Sequence, residues 1–198
     1  MAGAVAFDAD QGIAPAVNQP ATTLGRDEWF AVLERLADAL GDGSEVKLCL
    51  IGSAACILGG MDGRTSRDLD VWKPASDYDR RELARAAEAA GLLFDPIAEN
   101  LPAGPYLQLI DPIPAELGSF EPVFLERIGR LRLYRPPIEN LIVSKLIRCE
   151  PRDLSDIRFL ISRYHPSAEL IRQIIAGISP RNREQAAENL IYLTAIQP

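Results

Sequence analysis

The run Val46-Lys-Leu-Cys-Leu-Ile51 limits the folds open to this chain more than any other feature. It is short, almost wholly apolar and bounded by Gly43-Ser44 and Gly52-Ser53. A run of that length between turn residues reads as a strand buried on both faces, and such strands belong to sheets covered by helices. The segments around it supply those helices. Trp29, Phe30, Leu33, Leu36, Ala37 and Leu40 recur at helical spacing before it, and Gly41 stops the run. A short Ala-rich helix closed by Gly59-Gly60 follows it.

Asp68-Leu-Asp-Val-Trp72 reads as a second strand. Asp77 is the expected N-cap of a helix over 78–90 that Gly91 ends. Shorter β-like pieces are Leu92–Phe94, Tyr106–Ile110, Val123–Leu125 and Leu131–Tyr134. From Pro137 onward the pattern is helical, with Pro151 opening one helix and further helices over 167–177 and 181–194. These pieces predict an α/β fold: a small mixed β-sheet with flanking helices and a C-terminal helical bundle. The expected division is a disordered leader over 1–22, an α/β core over 23–135 and a helical region over 136–198.

Composition removes several functions. No apolar run approaches the ~20 residues a membrane span needs, so no membrane partner is expected. The net charge of −7 disfavours non-specific DNA binding. Three cysteines outside any C-x-x-C give neither a disulfide framework nor a zinc knuckle, which fits a cytoplasmic location. The one histidine, His165, falls between two helices, so a His-based triad or metal site is not expected. No P-loop pattern is present. Charge is divided, with 9 basic and 19 acidic residues over 1–119 and 12 basic and 9 acidic over 120–198.

Asp68 and Asp70 are the first candidates to carry chemistry. Residues two apart on a strand share a face, so the carboxylates stand side by side while Leu69 points to the core. Paired carboxylates on a rigid strand suit a divalent cation that bridges nucleotide phosphates. Asp8-Ala-Asp10 and Asp77-Tyr-Asp79 have the same spacing but lie in the leader and at a helix start. The pair at 68 and 70 follows Arg64-Thr-Ser-Arg67 and lies downstream of the Gly52-Ser53 turn, whose backbone and hydroxyl can face a phosphate.

The order Gly52-Ser53 … Arg64-Thr-Ser-Arg-Asp-Leu-Asp-Val71 resembles the nucleotidyltransferase superfamily, with its polymerase-β-like fold. The Arg-Thr-Ser form is similar to the branch that holds AbiE-type abortive-infection toxins and related uncharacterised bacterial proteins. A second block, Leu141–Arg148 followed by Pro151-Arg-Asp-Leu-Ser-Asp156, matches later motifs of that branch. The resemblance implies that Gly52, Ser53, Arg64, Thr65 and Ser66 bind the nucleotide and that Asp68 and Asp70 hold Mg2+, or Mn2+ in its place. It implies catalytic roles for Lys145, Asp153 and Asp156. It further implies a third metal carboxylate on a neighbouring strand, for which Asp111 and Glu121 are the candidates.

The function implied is transfer of a nucleoside monophosphate from an NTP to an acceptor hydroxyl on tRNA or protein, with a cognate antitoxin as partner in a toxin–antitoxin system. Two alternatives stand beside it. One is a catalytically inactive module that binds nucleotide or a partner, and the other is a small-molecule transferase of the antibiotic-modifying kind. Arg127, Arg130, Arg132 and Arg135 form a basic stripe that suits an RNA acceptor or, equally, an exposed edge strand.

Overall fold

The computed structural model describes residues 22–97, 104–112 and 116–196, so the expected leader lies outside the described residues apart from its last position. Helix α1 (Arg26–Leu40) leads into β1 (Val46–Cys49), α2 (Gly52–Leu58), β2 (Asp68–Trp72) and α3 (Arg80–Ala89). Strands β3 (Leu93–Phe94), β4 (Tyr106–Ile110), β5 (Val123–Ile128) and β6 (Leu131–Arg135) follow. The chain ends in α4 (Ile138–Arg148), α5 (Pro151–Tyr164), α6 (Ala168–Gly177), α7 (Pro180–Asn189) and α8 (Ile191–Ile196). The fold is mixed α/β.

The strands form two three-stranded sheets, in the orders β1-β6-β5 and β2-β4-β3, where one small mixed sheet is expected from sequence. The sheets meet at an antiparallel bridge between Leu50 and Val71. Pairing stops there because the chain turns into α2 at Gly52, directly after Ile51 donates to the Asp70 carbonyl at 3.0 Å. In the second sheet β2 and β4 run parallel, with Asp68 opposite Tyr106 and Asp70 opposite Gln108.

Several boundaries differ from the sequence expectation for local physical reasons. Asp77 does not cap α3, because its backbone pairs with Lys47 in a two-way bridge of 2.8 and 2.9 Å. Asp79 caps instead, its carboxylate accepting from the Glu82 amide at 2.7 Å. Strand β5 reaches Ile128 because a two-residue turn containing Gly129, at φ +56°, folds it onto β6. The helix expected over 181–194 is divided at Leu190, beside Asn189, whose amide donates to the Leu146 carbonyl at 2.7 Å.

Two large apolar clusters hold the molecule. One joins α1, α3 and the inward faces of both sheets around Trp29, Leu33, Leu36, Leu48, Leu69, Leu107 and Leu133. The other joins α4–α8 around Leu141, Ile142, Leu146, Ile157 and Ile171. Helix α2 serves both, since Ala54, Ile57 and Leu58 face the first cluster while Ala55 and Cys56 face the second. Beside α2, the N-terminal segment clasps the approach to β2 through reciprocal Leu24–Ser66 backbone bonds of 2.7 and 3.0 Å.

Trp29 ties this clasp to the core. Its ring is fully buried and its indole donates to Ser66 Oγ at 3.1 Å, while Ser66 Oγ donates to the Asp68 carbonyl at 2.9 Å. Trp29→Ala is expected to cost about 3–5 kcal/mol of unfolding free energy in a urea titration. Trp29→Phe, which keeps an aromatic ring and removes the donor, is expected to cost about 1–3 kcal/mol.

Candidate active site

Gly52 opens α2 at φ +62°, a backbone conformation that L side chains rarely adopt. A Cβ at this position would lie 2.5 Å from Asp70 Oδ2. Glycine is therefore required twice, by the turn and by the carboxylate against it. The contact brings the Gly-Ser turn onto the strand that carries the acidic pair.

Asp68 and Asp70 are half-buried and share one face of β2, while Leu69 is fully buried between them. Among the described residues neither carboxylate accepts a hydrogen bond or forms an ion pair. Desolvation, then repulsion from Asp68, pushes the Asp70 carboxyl up to about 7, against an opposing pull from Lys145 and Arg148. The pair is thus short of positive charge, and a cradle formed by a bare glycine abuts one of its oxygens. These residues fit a divalent cation bound by oxygen ligands.

The second motif block meets the first at Asp156, which is fully buried on α5. Arg64 Nε donates to its Oδ1 at 2.8 Å and Lys145 Nζ to its Oδ2 at 2.6 Å. Ser53 Oγ donates to Oδ2 at 3.4 Å and in turn accepts from Arg64 Nη2. Asp153, also buried, takes Arg148 through two parallel bonds of 2.8 and 2.7 Å and lies 3.6 Å from Lys145. Burial alone would raise Asp153, but the Arg148 guanidinium and the Lys145 charge hold it below the usual carboxylate value.

The structure therefore brings together Gly52, Ser53, Arg64, Asp68, Asp70, Lys145, Asp153 and Asp156. Both helical acids are bound by cations, so Asp156 positions Lys145 and Arg64 and Asp153 positions Arg148. A cavity of about 370 Å³ opens beside Asp68, lined by Ser53, Arg64, Thr65, Arg67, Arg148 and Arg152 among others. Four guanidinium groups around one cavity suit a polyanionic ligand. Ser66 also reaches this cavity, but its hydroxyl is engaged between Trp29 and the Asp68 carbonyl.

Other expectations need correction. Asp111 lies past the end of β4 and pairs with Lys73 at 2.6 Å, one residue beyond the Trp72–Ile110 register pair. It belongs to the far end of the strand from Asp68 and does not join the acidic pair. Glu121 precedes β5 in the other sheet. Among the described residues no cluster of three or more His, Cys, Asp or Glu side chains is placed to hold a metal. Within the arginine stripe two members are paired with acids, Arg130 with Glu82 at 2.6 Å and Arg132 with Glu45 at 2.5 Å, while Arg135 lies over the Tyr164 ring and Arg127 donates to the Gly129 carbonyl. Cys56 is buried beside this network, and desolvation pushes its thiol up to about 12, which removes it as a nucleophile near neutral pH.

Gln108, which the motif spacing does not mark, stands in register with Asp70. Its signal in the sequence is a lone polar residue within the apolar run Tyr106–Ile110.

Residues 27–191 match the family described as nucleotidyltransferase of unknown function (DUF6036), and the chain belongs to that family. The fold is similar to that of an antigenic nucleotidyltransferase-like protein from Paracoccidioides brasiliensis, at 19% sequence identity and a TM-score of 0.52, covering 88% of this chain and 94% of that one. No curated relative matches the chain. The protein is thus a member of the nucleotidyltransferase superfamily. No helix among the described residues is long and apolar enough to cross a membrane.

Two predictions follow from the charge network. Asp156→Ala leaves Lys145, only 3% exposed, and Arg64 without their shared partner, and is expected to lower unfolding free energy by about 3–5 kcal/mol in chemical denaturation. Asp153 has a depressed carboxyl, so its contribution to stability is present above the unfolded value near about 4 and is lost as pH falls through the lower folded value. Asp153→Asn is therefore expected to flatten the acid side of the stability–pH curve below about pH 4 in thermal melts.

Proposed function

We propose that this protein is a Mg2+-dependent nucleotidyltransferase that moves a nucleoside monophosphate from an NTP to an acceptor hydroxyl. The observation that carries this reading is the convergence at one place of the Gly52 turn, the unneutralised Asp68/Asp70 pair and the cations fixed by Asp153 and Asp156. The reaction joins the acceptor oxygen to the α-phosphorus, breaks the bond between that phosphorus and the oxygen bridging to the β-phosphate, and releases pyrophosphate and the hydroxyl proton.

In this reading Asp68 and Asp70 would hold the Mg2+, which would supply Lewis-acid polarisation of the phosphates and charge neutralisation for the leaving group. Gly52 lets the backbone approach the phosphates without a side chain between. Arg64, Arg67, Arg148 and Arg152 line the adjoining cavity and balance the polyphosphate charge. Lys145 is held 2.6 Å from Asp156, so its ammonium adds a fixed positive charge to the wall behind the turn. Fixed charges of this kind need no reorganisation as the reaction proceeds. A tRNA or protein acceptor, a cognate antitoxin and a cytoplasmic toxin–antitoxin role belong to the same proposal and rest on the resemblance to the AbiE-type branch.

A second reading, nucleotide binding without turnover, is favoured by two observations. The helical acids are saturated by cations, and Asp111 is paired elsewhere. Transfer from each of four α-labelled NTPs, with Mg2+, into total tRNA and cell protein separates the two. The expected result is label in one acceptor with the wild type and none above background with Asp68→Asn/Asp70→Asn. Nucleotide binding with no transfer by the wild type would support the second reading, and equal labelling by the double variant would overturn the first.

A further inference from the structure

The face of β2 that carries the acidic pair continues onto β4. In this parallel ladder Asp68 lies opposite Tyr106 and Asp70 opposite Gln108, and register partners project to the same side. The intervening Leu107 and Leu109 are buried on the other side, in the core shared with α1 and α3. Tyr106 is already engaged, being 4% exposed with the Arg67 guanidinium 5.4 Å from its ring centroid. Gln108 is half-buried, and among the described residues its amide has no hydrogen-bond partner. Thus an unpartnered neutral amide stands next to Asp70.

Charge counting gives this position its meaning. Asp68 and Asp70 together carry two negative charges when ionised, which one divalent cation balances. The nearby acids Asp153, Asp156 and Glu150 are paired with Arg148, Lys145 and Arg64, Glu150 lying 3.8 Å from Arg148, and Asp111 is bound to Lys73. None of them adds free negative charge to the pair. Affinity at oxygen-ligand sites follows the number of charged ligands and the rigidity of the site.

We propose that Gln108 limits this site to a single divalent cation, by placing a neutral amide where a carboxylate would complete a three-acid site. The inference rests on the reading of Asp68 and Asp70 as metal ligands. A carboxylate at 108 would raise the local charge from two to three and supply a third anionic ligand beside Asp70.

The test is a Mn2+ titration of the full chain, without nucleotide, in which free Mn2+ is followed by electron paramagnetic resonance. The expected result is one ion per wild-type chain, and one ion with affinity within about threefold for Gln108→Ala. Gln108→Glu is expected to bind at least about tenfold more tightly or to take a second ion. Gln108→Asp serves the same purpose if the longer side chain disturbs the fold, and thermal melts confirm that each variant is folded. Two ions on the wild type, or unchanged affinity and stoichiometry in both folded carboxylate variants, would overturn the inference while leaving the metal site intact. Failure of the wild type and both carboxylate variants to bind any Mn2+ would instead overturn the metal reading on which it rests.

Discussion

The buried carboxylate of Asp156 is the interaction on which the rest of the site depends. It gathers Arg64 from the loop before β2, Lys145 from α4 and Ser53 from the turn that opens α2. The α2–β2 stretch and the α4–α5 pair, distant in sequence, are thereby held in one place. A buried carboxylate is costly unless its charge is matched, and here it is matched by two cations. The same bonds that satisfy Asp156 fix the directions of Lys145 and Arg64. Stability and site geometry are properties of one network.

A second contact makes that network relevant to the acidic pair. Gly52 has no side chain, and Asp70 occupies the space that a Cβ would need. The turn and the strand are therefore registered to each other within an ångström-scale tolerance. On one side of this contact lies a carboxylate pair short of positive charge. On the other lie four guanidinium groups and the Lys145 ammonium, of which Arg64, Arg148 and Lys145 are held by Asp156 and Asp153. The site is thus polarised, with an anionic floor on β2 and a cationic wall from the Arg64 loop and the start of α5. Such an arrangement accommodates a cation and a polyphosphate together.

Much of this was legible in the sequence because it is local. The period-2 spacing of Asp68 and Asp70, the Gly-Ser turn after an apolar run and Pro151 at a helix start each encode their structure within a few residues. Strand β2 begins and ends where the pattern places it. What was not legible depends on tertiary pairing. The division into two sheets follows from where β1 stops beside β2, and the capping of α3 by Asp79 follows from the Asp77–Lys47 bridge. The roles of Asp153 and Asp156 required knowing which cations reach them. The distance of Asp111 from the acidic pair, and the nearness of Gln108, required the β2–β4 register. Helical and strand periodicity report the face a residue occupies and not the neighbour it meets there.

The most direct test of this account is anomalous diffraction from crystals grown with Mn2+ and a non-hydrolysable nucleoside triphosphate analogue. The account predicts an anomalous peak between the Asp68 and Asp70 carboxylates, with the triphosphate alongside Gly52 and within reach of the Arg64 and Arg148 guanidinium groups. A folded protein whose Mn2+ or triphosphate binds elsewhere, with the Asp68/Asp70 pair free of the ion, would contradict it.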